Sequence, residues 1–270
     1  MALRLNATPE AYKEFYGANV KQMPKLVAEG RVPMSVAGLM QRRLDVRNSD
    51  ADVKTAYMDN YFDTGDAVVY HSDGRVKIVL DSAILQGMTP NSPRNGGALV
   101  LSEDIYRTLI GEEFKKGKLG QVNTGLSVAD VKSHPVWKAL ARGDKALLND
   151  YADFIFTEYQ TRFAKDTKAE DLQLMGVYPD SAGETPKLRA WCVDGLGDGS
   201  GADGGNVLGF DGGRLVGVAP EAQSAKNSGA SAIQKYTMAD IQTARKQLDT
   251  LAQVVRPENL EDVKSLIAKL

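Results

Sequence analysis

Cysteine and histidine are nearly missing from this chain of 270 residues, which holds one of the first and two of the second. A single cysteine, Cys192, excludes an intramolecular disulfide and any metal site built from several thiolates. Set in the strand-like run Arg189-Ala-Trp-Cys-Val193, it reads as a small buried hydrophobe. The two histidines, His71 and His134, are far apart in sequence, which argues against structural zinc and leaves little for Ser-His-Asp or Cys-His chemistry. No excess of one charge is present either, since 33 basic residues stand against 35 acidic ones. A near-neutral chain has no bulk drive to neutralise phosphates, so nucleic acid is not the expected partner. No run approaches the roughly 20 apolar residues that a membrane helix needs. The first residues, MALRLNATPEAY, lack the apolar core of a signal peptide. The expectation is a soluble, cytoplasmic protein with no membrane partner.

What the chain has in abundance is glycine in one place. Ten glycines fall between Gly195 and Gly217, with Asp194, Asp198, Asp203 and Asp211 set among them. Glycine lets other groups approach the backbone, and aspartate brings turn-forming side chains and oxygen ligands. Asp194, Asp198 and Asp203 are the candidate ligands for calcium or magnesium. The segment lacks the alternating acids and terminal glutamate of an EF-hand. Its glycines recur every second residue, which is neither a dinucleotide fingerprint nor a phosphate loop. The alternatives are a mobile connection, predicted over Gly195 to Gly213, or a loop that contacts a partner or closes over a small ligand.

Along the rest of the chain, Thr8-Pro9-Glu10 carries the signals of a helix start, followed by an apolar stripe at Tyr12, Phe15, Tyr16 and Val20. Ser35 can cap a second helix with Val36, Leu39, Met40 and Leu44 on one side, and a short third helix follows from Asp50. Ala67 to Tyr70 and Val76 to Leu80 flank an Asp-Gly turn and predict a hairpin. Met88 to Gly97 reads as a polar loop. Ser127 to Asp130 resembles a capping box, with the helix bent or broken at Pro135. Lys145 to Ala164 is the strongest central helix. Leu188 to Val193 and Arg214 to Val218 read as strands. Trp137, Leu147, Leu148, Tyr151, Phe154, Ile155 and Trp191 are the expected core. The pattern predicts an α+β fold: helices at both termini and centre, with short β-hairpins or antiparallel sheet between. The chain reads as one domain over 1–270, or as two pieces, 1–125 and 126–270.

Other acidic and basic groups have ordinary explanations. Asp63, Asp66, Asp73 and Asp81 bracket the hairpin beside His71, where they could hold magnesium but also suit turns. Glu113-Phe114-Lys115 with Asp104 upstream matches the tail of a metal-dependent nuclease pattern. It lacks the expected strand context. Arg42, Arg43 and Arg47 read as a solvated helix face paired with Asp45 and Asp50. The best interaction feature is C-terminal. Met238, Ile241, Ala244, Leu248, Leu251 and Val255 form a narrow apolar seam, and Pro257 opens a last helix. Such a seam docks on its own domain or makes a homo-oligomer. These features favour a non-catalytic binding or assembly protein acting on itself or another protein. A metal-dependent hydrolase or phosphotransferase using Asp clusters, and a small-ligand-binding protein with a Gly-rich loop, are the alternatives. The enzyme reading predicts that Asp63, Asp66 or Asp81 meets Asp194 or Asp198 in one cleft.

Overall fold

The computed structural model describes residues 11–115, 125–180 and 183–220. The chain divides into two compact units, Met1–Lys226 and Asn227–Leu270, and every described residue belongs to the first. The C-terminal seam from Met238 to Val255 and the Pro257 helix lie outside the described residues, as does Thr8-Pro9-Glu10.

The described residues are built on one eleven-stranded mixed sheet. This overturns the expected α+β arrangement of terminal helices and short hairpins. The N-terminal stripe is the clearest case. Tyr12–Tyr16 is a strand, β1, and the helix α1 begins later, at Asn19–Ala28. β1 pairs antiparallel with the last described strand, β11, Arg214–Val218. A partner some 200 residues away, on the order set by the sequence numbering, leaves no local mark; long-range pairing overrides local helix signals.

Between them the chain runs through β2 (Val32–Pro33), α2 (Val36–Asp45), α3 (Ala51–Met58), β3 (Phe62–Tyr70), β4 (Val76–Val79) and α4 (Ala83–Gln86). It continues through β5 (Arg94–Asn95), β6 (Ala98–Val100), α5 (Glu103–Thr108), β7 (Glu112–Phe114), α6 (Val128–Ser133), α7 (Pro135–Leu140) and α8 (Lys145–Phe163). β8 (Val177–Tyr178), β9 (Lys187–Val193) and β10 (Ala202–Asp203) precede β11. The main path of the sheet is β1-β11-β3-β9-β10-β8. β3 is its axis. It pairs antiparallel with β9 on one edge; on the other it meets β11 in parallel at Asp63 and β4 over Ala67–Tyr70.

Alternation along β3 sends side chains to two different cores. Val68 and Tyr70 join Trp191, Val193 and Val216 beneath α2, α3, α7 and α8. Ala67 and Val69 join Leu188, Ala190 and Leu215 beneath α1, α4 and α5. Pro135 starts α7 after a break at His134, so the capping-box helix and its continuation are separate. Trp137, Leu148, Tyr151, Ile155 and Trp191 are buried as expected. Leu147 and Phe154 are half-buried, and Phe156 takes the inner position instead. No helix among the described residues is long and apolar enough to cross a membrane.

Candidate binding face

The glycine-rich segment is not a loose connection. Leu196, Ala202 and Leu208 are fully buried, and Leu196–Asp198 forms a turn of 3-10 helix. Glycine works here by permitting close approach. A Cβ at Gly201 would stand 2.6 Å from the Tyr178 ring, and one at Gly204 would collide with the Tyr70 hydroxyl and the Trp191 ring. Leu208 reaches the second core, while its carbonyl accepts from Val20 N (3.1 Å) and its own N–H donates to Gly97 O (3.0 Å).

Register then gathers chemistry on one face. Asp63 of β3 stands opposite Cys192 of β9, Cys192 opposite Asp203 of β10, and Asp203 opposite Tyr178 of β8. Cross-strand neighbours share a face, so these four side chains form a row. Asp194 adjoins the end of it.

Asp63 is buried and fully engaged. It accepts from the Asn206 side-chain amide and, at 2.8 Å, from Arg214 N, so it fastens both ends of the 206–214 loop. Burial pushes its carboxyl up to about 6, against the hydrogen bonds that favour the charged form. Asp203 accepts from Gly205 N at 2.6 Å, and burial raises it too. Asp194 differs. Its carboxylate accepts no hydrogen bond among the described residues. Burial, then Asp203 and Asp198, push it up to about 7, while Arg43 works the other way. Burial also raises the Cys192 thiol well above its usual range, with Asp63, Asp194 and Asp203 adding to the effect. The thiol is therefore protonated at neutral pH and is a poor nucleophile.

Beyond this row the surface is aromatic. The Arg214 guanidinium lies 5.2 Å from the Tyr16 ring centroid and 5.5 Å from that of Tyr61. It donates to Asn60 Oδ1 and pairs with Glu14 at 2.8 Å. The Tyr61 hydroxyl donates to Gly212 O, and the backbone there lies against the Phe210 ring. Tyr16 is 57% exposed, Phe210 54% and Val207 43%. Tyr16 at the end of β1, and Val207 and Phe210 on the pinned loop, thus leave large apolar side chains open to solvent.

The fold is similar to the C-type lectin fold. The similarity is to a solved structure described by the words "Accommodation of massive sequence variation in Nanoarchaeota by the C-type lectin fold", at 17% identity, with a TM-score of 0.55, covering 80% of this chain and 100% of that one. No protein-family model matches the sequence, and no curated protein matches it.

The structure separates the other acidic residues singled out from sequence. Asp63 shares the row with Asp203, but Asp66 and Asp81 stand elsewhere. Asp66 accepts from Val36 N (2.7 Å) and Asp81 N (2.9 Å), and Arg142 donates to Asp81 at 2.6 Å. Asp73 serves the hairpin turn by accepting from Arg75 N at 3.0 Å. Glu113 is on a strand, where it accepts from the Tyr106 hydroxyl at 2.8 Å and pairs with Arg75. Asp198 is exposed. Among the described residues no group of three or more His, Cys, Asp or Glu side chains could hold one metal ion.

One residue departs sharply from its expected role. Arg43 is fully buried rather than part of a solvated face, and its neighbours are not Asp45 and Asp50. Its Nε donates to Tyr57 O (2.9 Å), and Nη1 to the Tyr151 hydroxyl (2.8 Å) and Ser200 Oγ (3.4 Å). Nη2 donates to Asn60 O (3.1 Å) and Asp194 O (2.8 Å). The spacing Val36, Met40, Arg43 places it on the apolar stripe of α2, and that was the available signal. Arg42 lies over the rings of Tyr12 and Tyr57.

Proposed function

We propose that the protein is a non-catalytic binding protein that presents the Tyr16–Tyr61–Phe210–Arg214 face to another protein. The observation that carries this reading is the exposure of Tyr16 at the end of β1 and of Val207 and Phe210 on a loop held down by Asp63 and Leu208. Tyrosine and arginine dominate binding energy at protein interfaces, and rigid aromatic side chains lose little entropy on binding. Pinning the loop beforehand lowers the ordering cost further. The solved structure of similar fold is described as accommodating massive sequence variation. A scaffold with that tolerance leaves recognition to exposed side chains, which suits the same reading. The thiol at Cys192 is held protonated and both oxygens of Asp63 are occupied, so these two offer a poor nucleophile and a poor base.

Selection of random displayed peptides on the intact protein tests the proposal. Peptides selected by the wild type should lose at least tenfold in affinity for Phe210→Ser, and more for Phe210→Ser with Tyr16→Ser. Selected peptides that bind both variants as tightly as the wild type would refute this face as the binding surface.

A further inference from the structure

We infer that Arg43 is the positioning residue of this face, a buried guanidinium that sets where the Asn60–Tyr61 and Asp194–Ser200 segments stand. The inference rests on the binding reading above and deepens it. β3 begins at Phe62 and β9 ends at Val193, and these two residues are paired, so Asn60 and Asp194 leave the sheet side by side. Their carbonyls have run past the ladder. A buried carbonyl without a donor is costly, and one guanidinium group caps both, at 3.1 Å and 2.8 Å. The same group is fastened to the helical layer through Tyr57 O on α3 and the Tyr151 hydroxyl on α8.

The connection runs on to the surface. The Asn60 side chain accepts from Arg214, and Arg214 lies over the Tyr16 and Tyr61 rings. On the other branch, the Asp194 N–H donates to Gly201 O at 2.9 Å and the Ser200 N–H to Gly195 O at 3.0 Å, closing the turn that presents Asp194. Among the described residues no carboxylate accepts a hydrogen bond from Arg43; its acceptors there are three carbonyls and two hydroxyls. Packing alone would be served as well by an apolar side chain of similar volume, since buried charges seldom add net stability. What an apolar residue or a lysine cannot reproduce is a planar fork reaching both strand ends and two helices at once.

Hydrogen–deuterium exchange on the full-length chain, comparing Arg43→Lys and Arg43→Met with wild type, tests this, together with the affinity of peptides selected as above. Exchange should rise at least tenfold at the amides of Asp194, Gly199 and Ser200, with β4 and α8 unchanged, and peptide affinity should fall at least fivefold. Arg43→Lys keeps the charge and carries the test should Arg43→Met fail to fold. Uniform acceleration throughout the sheet, or none at these amides, would overturn the inference. Local acceleration when the wild type selects no peptides sustains the positioning role and removes the binding reading. Peptide affinity lost in Phe210→Ser but untouched in Arg43→Lys does the reverse.

Discussion

Asp194→Asn should stabilise the protein at pH 8 and leave it unchanged at pH 4. Asp194 uses its N–H and carbonyl in hydrogen bonds, to Gly201 and from Arg43, which asparagine keeps. Its carboxylate accepts none among the described residues, and it is half-buried beside Asp203 and Asp198. Folding raises its carboxyl from 3.8 to about 7. A folded-state value above the unfolded one means that the group's stabilising contribution is complete below 3.8 and is lost as pH rises through about 7. At about 1.4 kcal/mol per unit, the bare shift is worth roughly 4 kcal/mol. Solvent reaches the side chain and screens much of that, so the gain in the variant should be about 1–2 kcal/mol. Urea denaturation of both proteins at pH 4 and pH 8 measures it, provided the slopes agree. A variant less stable at pH 8, or a difference equal at the two pH values, would refute the reasoning. Either result would mean that the carboxylate has a partner when charged.

Asp63→Asn should do the opposite. Its carboxyl is raised too, but asparagine would turn an amide donor toward one of two existing donors, Asn206 or Arg214 N. A loss of about 1–3 kcal/mol, read by the same urea titration, is expected. Phe156→Ala should cost roughly 3–5 kcal/mol, because this ring occupies the inner position on α8. Half-buried Phe154→Ala should cost clearly less, and equal thermal shifts would show that both rings serve the core alike.

What the sequence displays of this fold is what local pattern can encode. Ala67–Tyr70 and Val76–Val79 pair around an Asp-Gly turn as the alternation and turn chemistry predict. α8, β9 and β11 are legible for the same reason. The class was not legible, because it depends on which strand meets which. β1 against β11, and β11 parallel to β3, join segments separated by most of the described chain. Tyr12, Phe15 and Tyr16 fit a helical stripe as well as a strand edge, and only the distant partner decides between them. The candidate face was half legible. Asp194 and Asp203 stood out as acids among glycines, but their relation to Asp63 exists only through the registers of β3, β9 and β10. Phe210 lay within the singled-out segment, yet Tyr16 and Tyr61 meet Arg214 only through long-range packing.

The density of glycine carries a lesson about cause. Ten glycines between Gly195 and Gly217 suggested a chain free to move, because glycine loses the most entropy on ordering. The same lack of a side chain also allows the tightest packing. Gly204 passes beneath Tyr70 and Trp191, and Gly201 beneath Tyr178. Those rings are too large to meet any other residue there. The apolar anchors that decide between mobility and packing were present in the sequence at Leu196, Ala202 and Leu208, spaced six apart, and all three are buried. Six is three strand repeats, but Asp198, Ser200, Gly204 and Asn206 stand at the positions between, so no apolar alternation marks the three. A glycine-rich segment that buries an apolar residue at intervals is held from beneath. Its exposed apolar residues, Val207 and Phe210, then stand on a segment anchored to the core.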